Sequence, residues 1–585
     1  MYVGYDEIRY KTRHRLIILF NPWSPEDAVY VPSLNRAQLD SYVLEEEGLM
    51  FSYNYQDSEP IPWLYNQFKT EVLSAVIFVL EGNNLHPTDY NNPISVTTFL
   101  NQMIRDRIIE GNWQSVREAP KRFNGHEATH ALSWGGSAEI LEEYHQYNGD
   151  KIGFAQCWVF AGVLITMLRT LGIPSRPISN FLSATDHEHI FTIDCEYKNG
   201  KIDFRNRGNG IWNFHVWVQA SMKRRDKGEK FDGWQEVDPT YMIGPIPNQV
   251  ITDAKITDNV EAFFYAAINS DKVLWNDGIV VETKTDEIGI QLLTTSLNLN
   301  DAEDLTTKYK PPEGTEEERR HYKKAADSFG IRPVSIYSRN RRSAKIPFAT
   351  ISLSIESLKP VFVGEPVNFD IHLKNPTFRT QNLNIIVQVD SLYYFGHVAY
   401  PIKHNSTIYS VASAGTEKIP FSIGFADYQN KLMSFRTLRI VASTEDSNRK
   451  LYFVSKQISL LVPELELKRL KYGVKQIGAP KYPKTYKKEI LSKAHLFPSK
   501  TLIGNPIAIS IKFSKPLNFP LNNVIISIDG KRCKRETFSI GCIEAMDHEE
   551  KIFPLKCILP NDSEESLVAT LISNEIDGLT GSLFC

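Results

Sequence analysis

A cysteine, a histidine and an aspartate stand in this order in three short segments that are rich in tryptophan. Cys157, His215 and Asp238 each lie within four residues of a tryptophan. A thiol becomes a strong nucleophile when a base takes its proton, and an imidazole base needs an acceptor that orients its other ring nitrogen. These three side chains therefore have the chemistry of a Cys-His-Asp nucleophilic site.

The segment around Cys157 has the pattern of a buried helix. Its apolar residues recur at steps of three and four, and Gly172 followed by Pro174 signals the helix end. These apolar residues are Phe160, Val163, Leu164, Met167, Leu168 and Leu171. We place Cys157 in the first turn, where unpaired backbone N–H groups and the helix dipole favour a thiolate. Taken alone, the helix favours an inert core cysteine, because free cysteine is among the most buried residue types.

The segments around the histidine and the aspartate change that balance. His215 lies in a run of aromatic and β-branched residues that predicts a strand, and Asp238 ends a second short strand just before Pro239. A single histidine in a strand is usually a half-buried structural residue, and an aspartate before proline is usually part of a turn. Three such residues in tryptophan-rich segments favour an active site.

The three segments resemble the active-site blocks of animal-type transglutaminases, which are protein-glutamine γ-glutamyltransferases. The blocks here are GFAQCWVFAGVL (153–164), WNFHVW (212–217) and GWQEVDPT (233–240), in the order and similar spacing of the family. One departure is Phe154-Ala155 before Gln156, where the family usually has Tyr-Gly. The resemblance implies that Cys157 is the nucleophile, His215 the base and Asp238 the group that orients the base.

The resemblance also implies an activity and further site residues. We expect calcium-dependent formation of glutamyl-lysine isopeptide cross-links through a cysteine thioester, with deamidation as a side reaction. The expected partners are glutamine-donor proteins, lysine-donor proteins and primary amines. Trp134 is expected to donate its indole N–H to the oxyanion and, with Trp212, to wall the substrate tunnel. Tyr394 falls where some family members place a tyrosine that blocks the resting cysteine.

The implied calcium ligands lie in two places. Asn269, Glu313 and Glu318 match the main site of the family, although Thr315 with Glu318 also reads as a capping box of the following helix. A second, weaker set is Asp186, Glu188 and Asn209, since Ile190 stands where another oxygen is wanted. A third family site is expected between Trp113 and Trp134, but the sequence QSVRE at 114–118 is not a calcium loop.

Composition and charge restrict the function classes. The 585 residues are 42% hydrophobic and carry a formal net charge of −3, which argues against nucleic acid or an anionic membrane as the main partner. No apolar run is long enough to span a bilayer, and no secretory signal is evident. The six cysteines are too sparse for a disulfide framework and fit a reducing compartment. We therefore expect a cytoplasmic protein, with signal-independent export as the alternative.

The chain length suggests about four domains. We predict an α+β multidomain fold, with a papain-like cysteine transferase core preceded by a partial β-sandwich and followed by two immunoglobulin-like β-barrels. The predicted limits are a partial sandwich and entry to the core at 1–90, the core at 91–327, a linker at 328–346 and barrels at 347–462 and 463–585.

The beginning of the chain and the linker add two expectations. Segments 15–20 and 28–31 read as strands that end the partial sandwich, and a shortened sandwich would leave an open sheet edge. We therefore expect that the sequence starts inside a longer protein. The basic run at 339–342 reads as a solvated loop.

Two other function classes remain open at this level. One is a papain-type Cys-His-Asp hydrolase or deamidase, and the other is a catalytically silent scaffold on the same fold. Incorporation of an amine, as opposed to formation of glutamate, separates the transferase from the hydrolase. The complete triad argues against the scaffold, and an incomplete first domain argues for it.

Overall fold

The structure is a computed structural model. The first sixteen residues and the basic run at 339–342 lie outside the described residues. The described ranges are 17–83, 85–298, 301–337, 351–356, 358–469, 506–514, 517–547, 550–557 and 566–583.

The described residues before the first strand form turns and short helices. Residues 17–46 contain helix α1 (Arg36–Leu39) and a π-helical turn (Asp40–Leu44), but no strand. The strands predicted at 15–20 and 28–31 are therefore wrong as far as these residues are described. This segment instead lies against the core, where the Phe20 N–H donates to the Leu171 carbonyl.

The core contains eight further helices. α3 continues into a π-helical turn at Ile104–Ile108, and a 3-10 turn at Ala131–Ser133 precedes α4. The core helices are α2 (Thr70–Gly82), α3 (Pro93–Met103), α4 (Ala138–Gln146), α5 (Cys157–Thr170), α6 (Asn248–Thr252), α7 (Asn259–Ile268), α8 (Thr306–Tyr309) and α9 (Glu316–Phe329). Short helix α10 (Val334–Tyr337) follows them.

The strands of this part alternate with the helices. They are β1 (Glu47–Tyr53), β2 (Ser58–Leu64), β3 (Ile109–Gly111), β4 (Arg122–Phe123), β5 (His126–Glu127), β6 (Ile152–Ala155), β7 (Ser175–Thr185), β8 (Thr192–Lys198), β9 (Lys201–Phe204), β10 (Gly210–Met222), β11 (Gly233–Asp238), β12 (Ile243–Pro247), β13 (Asp271–Asn276), β14 (Ile279–Lys284), β15 (Gln291–Thr295) and β16 (Ala302–Asp304).

A six-stranded sheet organises the core. Its order is β12-β11-β10-β7-β15-β16, and a four-stranded sheet, β14-β13-β8-β9, lies beside it. Helix α5 is buried along its entire length and packs against β10 and β7. Its first residue is therefore held next to the sheet that carries the other two residues of the predicted triad.

Two β-sandwiches follow the core. The first contains β17 (Ser352–Ile355), β18 (Val367–Lys374), β19 (Gln381–Leu392), β20 (Val398–Val411), β21 (Thr416–Ile423), α11 (Phe425–Tyr428), β22 (Thr437–Glu445) and β23 (Leu451–Ser459). Its two sheets have the orders β17-β18-β21 and β20-β19-β22-β23. Alternating burial along β18 gives one apolar face to the interior, as expected for packed sheets.

The second sandwich has the same layout. Its strands are β24 (Leu465–Arg469), β25 (Pro506–Phe513), β26 (Leu521–Gly530), β27 (Glu536–Ile543), β28 (Lys551–Lys556), β29 (Leu567–Ile572) and β30 (Leu579–Leu583). The sheets are β24-β25-β28 and β27-β26-β29-β30. A disulfide joins Cys533 to Cys557, a pairing that the sparse cysteines did not predict.

Both sandwiches contact the core. From the first, the Tyr394 carbonyl accepts a hydrogen bond from the Asn213 N–H at 2.9 Å. From the second, Asp529 Oδ2 accepts from the Gly135 N–H at 3.1 Å, and Asp577 Oδ2 accepts from the Val116 N–H at 3.2 Å. Among the described residues, no helix has the length and apolar character needed to cross a bilayer.

Candidate active site

Cys157 is the first residue of helix α5 and is fully buried. Gln156, the residue before the helix, has extended backbone, and Gly172 after the helix end has a φ of +85°. The predicted helix start and the predicted glycine at its end are both confirmed. The thiol therefore lies at the positive end of the helix dipole, where a thiolate is favoured.

The adjacent antiparallel strands β10 and β11 bring the histidine and the aspartate together. Val218 pairs with Val237 in their register, so Asp238 falls opposite Trp217, two residues along β10 from His215 and on the same face of the sheet. His215 Nε2 lies 2.6 Å from Asp238 Oδ2, and both side chains are almost completely buried. Asp238 Oδ1 also accepts the Thr240 N–H at 2.8 Å, which fixes the carboxylate in the turn after β11.

The electrostatics of His215 suit a base that stays paired with an anion. Burial alone would lower the pKa of His215, but the charge and hydrogen bond of Asp238, with a contribution from Cys157, raise it to about 10. Nδ1, the other ring nitrogen, is buried and has no hydrogen-bond partner of ordinary geometry. With Nε2 on Asp238, Nδ1 is the nitrogen left for the thiol.

The indole N–H of Trp134 does not make the contact that the resemblance implies. Its indole N–H donates to the Phe154 carbonyl at 3.0 Å, and the Arg535 guanidinium carbon lies 4.6 Å from its ring centroid. An indole has one N–H, and here the peptide before the nucleophile uses it. The prediction that Trp134 donates to an oxyanion or walls the tunnel is therefore corrected, because Trp134 packs between the core and the second sandwich.

Trp113 has the properties that we had assigned to Trp134. Its indole N–H is buried without a hydrogen-bond partner of ordinary geometry, and its ring meets Trp212 edge to face at 6.4 Å between centroids. A methyl group on Gly111 would lie 2.6 Å from this ring, so glycine permits the close packing. No sequence motif around residues 111–113 indicates this role for Trp113.

The Trp212 side chain is fixed by hydrogen bonds that involve Thr185 and Tyr241. Its indole N–H donates to Thr185 Oγ1 at 2.6 Å, and that hydroxyl lies 3.0 Å from the Tyr241 hydroxyl. The Tyr241 ring in turn meets His215 edge to face at 5.6 Å. Thr185 and Tyr241 were not anticipated from the sequence, because only the fold brings them behind β10.

Tyr394 covers the thiol. Its hydroxyl lies 3.9 Å from Cys157 Sγ, and its ring meets Trp212 edge to face at 4.8 Å. Burial raises the pKa of the Tyr394 phenol well above its usual value, the Cys157 thiol raises it further, and the Trp113 indole and the Cys157 backbone oppose this rise. The phenol oxygen therefore lies near the two N–H donors that surround the nucleophile.

Comparison with known proteins agrees with this geometry. Residues 139–239, which include all three triad residues, match the model of the Transglutaminase-like superfamily. The hemocyte protein-glutamine gamma-glutamyltransferase of Tachypleus tridentatus is 27% identical over 98% of this chain and 73% of the relative. Residues 139–239 thus form a transglutaminase-like domain. Protein-glutamine gamma-glutamyltransferase E of Bos taurus is 28% identical over 88% of this chain and 73% of the relative.

A solved structure supports the same fold for nearly the whole chain. The crystal structure of red sea bream transglutaminase superposes with a TM-score of 0.75 at 23% sequence identity, covering 97% of this chain and 80% of that one. The transglutaminase fold predicted from the sequence, an α+β core with two following β-domains, is therefore confirmed. This likeness concerns the fold alone.

The calcium ligands implied by the family resemblance lie in an ion-pair network. Glu313 pairs with Lys310, whose side chain is fully buried and whose Nζ also donates to the carbonyls of Ile268 at 2.6 Å and Ile288 at 2.9 Å. Glu318 pairs with Arg319. In the described parts of the chain, no three His, Cys, Asp or Glu side chains are placed to hold a metal together.

The donor chemistry of this network nevertheless fits a hard cation. The Lys310 ammonium already lies among two carbonyl oxygens and a carboxylate, which are ligands that calcium accepts. Glu313 Oε2 is buried and accepts no hydrogen bond. Asn269 lies beside this group, with its amide N–H donating to the Tyr265 hydroxyl at 3.0 Å. A calcium ion would fit here only after Lys310 moves away.

Only one of the two hydrogen bonds of a capping box is present at the start of α9. Thr315 accepts the Glu318 N–H and so caps α9, but the Glu318 carboxylate turns to Arg319 and does not complete a capping box.

The residues of the weaker calcium set, Asp186, Glu188 and Asn209, lie together in one hydrogen-bonded loop. Asp186 accepts the N–H groups of Glu188, Ile190 and Phe191 at 2.7–3.1 Å. Asn209 Oδ1 accepts the His187 N–H, and its Nδ2 donates to Glu188. These oxygens hold the loop between β7 and β8 in shape, and burial raises the pKa of Asp186 to about 6.

Proposed function

We propose that this protein is a protein-glutamine γ-glutamyltransferase that forms isopeptide cross-links through a thioester on Cys157. The observation that carries the proposal is the buried His215–Asp238 pair at 2.6 Å, on the sheet against which the Cys157 helix packs. A silent scaffold has no need of a buried imidazole with one nitrogen left unpartnered. The extensive similarity to curated γ-glutamyltransferases supports the same reaction.

The first half of the reaction forms the acyl-enzyme. His215 Nδ1 takes the thiol proton, and Cys157 Sγ attacks the side-chain carbonyl carbon of a glutamine. As the C–N bond breaks, His215 returns the proton to the departing ammonia. Asp238 keeps Nε2 protonated throughout and stabilises the imidazolium.

Two N–H donors stabilise the negative charge on the carbonyl oxygen. We assign them to the Cys157 backbone and the Trp113 indole, since both interact with the Tyr394 phenol oxygen that now covers the thiol. A donor of this kind contributes roughly 3–4 kcal/mol to the transition state. The Trp113 indole N–H has no hydrogen-bond partner of ordinary geometry, so it is available to an oxyanion once Tyr394 has left.

The second half of the reaction transfers the acyl group. A lysine amine attacks the thioester, His215 takes the proton of that amine, and Sγ leaves as the thiolate. Water in place of the amine gives glutamate. The Trp113 and Trp212 rings beside the thiol form an apolar passage, which disfavours water relative to an amine with an alkyl chain.

Access to the thiol requires that Tyr394 leaves. Its hydroxyl fills the space near Sγ where the substrate carbonyl must come, and its loop is attached to the core by the Asn213 hydrogen bond. We therefore propose that the first sandwich moves before turnover, so that the arrangement described is the resting form.

We also propose that calcium binds within the ion-pair network around Lys310. Asn269, Glu313 and Glu318 would hold the ion, and the ion would supply the positive charge that the carboxylates need. The departing Lys310 would free the carbonyls of Ile268 and Ile288.

Incorporation of a fluorescent primary amine into a glutamine-containing protein tests the proposed activity. We expect incorporation in calcium and much less in chelator. Release of glutamate without incorporation would identify a hydrolase instead, and absence of both products would favour the scaffold.

A further inference from the structure

Arg105 lies in the π-helical turn Ile104–Ile108 and joins two parts of the active site. Its guanidinium carbon lies 5.4 Å from the centroid of the Trp113 ring. One of its N–H groups also donates to the carbonyl of Thr240. The same side chain thus contacts the ring that we assign as an oxyanion donor and the turn that follows Asp238.

The contact at Thr240 reaches the acid of the triad directly. The Thr240 N–H donates to Asp238 Oδ1 at 2.8 Å, so the Arg105 contact holds the peptide that fixes this carboxylate. The contact at Trp113 acts on a ring already confined by Gly111, where an added methyl group would lie 2.6 Å away. A π-helical turn, common at functional sites, carries Arg105.

The charge of Arg105 is not neutralised by an acid. The side chain is half-buried, and in the described part of the chain it forms no ion pair with a carboxylate. A guanidinium over the face of an indole is attracted by its π electrons and withdraws electron density from the ring. The Trp113 N–H then becomes a better donor to an oxygen that gains negative charge.

We propose that Arg105 is a positioning residue that holds Trp113 and the Thr240 turn in place and strengthens the Trp113 N–H as an oxyanion donor. This inference rests on the proposed acyl transfer. It assigns to Arg105 an effect on the transition state, and none on the binding of the ground-state glutamine.

The test compares Arg105→Met with Arg105→Lys and with Arg107→Met, an exposed arginine in the same turn. For Arg105→Met we expect kcat of amine incorporation to fall about 10-fold, somewhat less than for loss of an oxyanion donor, with KM for the glutamine peptide little changed. Arg105→Lys should recover part of kcat, and Arg107→Met should behave as wild type.

Two further measurements separate this effect from general damage. Binding of a peptide aldehyde, whose carbonyl carbon adds to Sγ while its oxygen becomes the oxyanion, should weaken in Arg105→Met by the same factor as kcat. Alkylation of Cys157 by iodoacetamide forms no oxyanion and should keep its rate. Unchanged aldehyde affinity in Arg105→Met, or slower alkylation in proportion to kcat, would overturn the inference. Absence of amine incorporation in the wild type would overturn the proposed function instead.

Discussion

At the scale of single residues, the reactivity of Cys157 depends on a proton that His215 can hold. Two contacts give His215 this ability: Asp238 on Nε2, and a buried Nδ1 with no partner other than the thiol beside it. The raised pKa of His215 means that the imidazolium persists through neutral pH. A charged His215 can therefore pair with a thiolate on Cys157.

His215→Asn tests this pairing. The substitution should slow alkylation of Cys157 at pH 6 at least about 100-fold, because the sulfur loses the imidazole that takes its proton. The measurement is the alkylation rate between pH 5 and 9 in the Tyr394→Phe background, with and without the histidine substitution. Equal rates at acidic pH in both proteins would show that no thiolate–imidazolium pair exists.

The two tryptophans allow a matched comparison. Trp113→Phe removes an N–H with no acceptor, so we expect little loss of stability but a fall in kcat of about 100-fold. Trp134→Phe removes an N–H that donates to the Phe154 carbonyl, so we expect lower stability and a smaller effect on kcat. Thermal unfolding and steady-state amine incorporation check both variants, and the reverse order of effects on kcat would return the oxyanion role to Trp134.

The sequence predicts the residues of the triad because each one carries its own local signal. A helix start, a strand and a strand end can be read within a few residues of Cys157, His215 and Asp238. The direction of an indole N–H has no such signal. Trp113 and Trp134 both stand near helix boundaries, and only the packing of Gly111 and Phe154 against them decides which one faces the thiol.

At the scale of elements, helix α9 and the loop before it carry an ion-pair network that contains two basic side chains. Lys310 and Arg319 neutralise Glu313, Glu318 and Asp271, which leaves one excess negative charge among these five side chains. Burial raises the pKa of Glu313, and Lys310 opposes that rise. A divalent cation in place of Lys310 would satisfy the same oxygens, so the lysine and the metal ion should compete.

Substitutions in this network should change calcium affinity in opposite directions. Glu313→Gln with Glu318→Gln removes two anionic ligands and should weaken calcium binding by at least about 10-fold, whereas Lys310→Met should strengthen it. Isothermal titration calorimetry measures both, with Glu316→Gln in the exposed first turn of α9 as the control. Unchanged affinity in the double glutamate variant would place the ion elsewhere, and weaker binding in Lys310→Met would contradict the competition.

At the scale of the whole molecule, buried acids line the contact between the core and the second sandwich. Burial raises the pKa of Asp577 to about 6, against the opposing effects of Arg117 and the Val116 N–H. Burial and the neighbouring Asp529 raise the pKa of Glu139 to about 7. A raised carboxyl pKa means that the folded form takes up protons, so this part of the stability is present at low pH and is lost as pH rises.

Asp577→Asn should therefore make the contact less sensitive to pH. The stability contributed by protonated Asp577 is complete below about pH 4 and lost as pH passes about 6, a difference on the order of 2–3 kcal/mol. We expect the free energy of unfolding of Asp577→Asn to exceed that of the wild type at pH 8 but not at pH 4. Denaturant unfolding measures it, with Asp277→Asn in an exposed turn as the control. An equal difference at both pH values would contradict this account.

Two features that the sequence does not predict, the fold of residues 17–31 and the disulfide, depend on long-range contacts. The strand-like composition of residues 17–31 is not realised, because Phe20 lies against the end of α5 and no described strand pairs with this segment. Cys533 and Cys557 are 24 residues apart without a recognisable spacing, and the fold of the second sandwich joins them. The layout of two sandwiches after a mixed core could be predicted, since alternating strands are a local pattern.

Two buried free thiols allow a direct test of whether Cys157 is the nucleophile. Cys157 and Cys195 are both buried and unpaired, but only Cys157 has the His215–Asp238 pair beside it. We predict that Cys157→Ala abolishes both incorporation of a fluorescent primary amine and deamidation of a glutamine peptide, while Cys195→Ala retains both. Amine incorporation by purified Cys157→Ala at the wild-type rate would contradict the account.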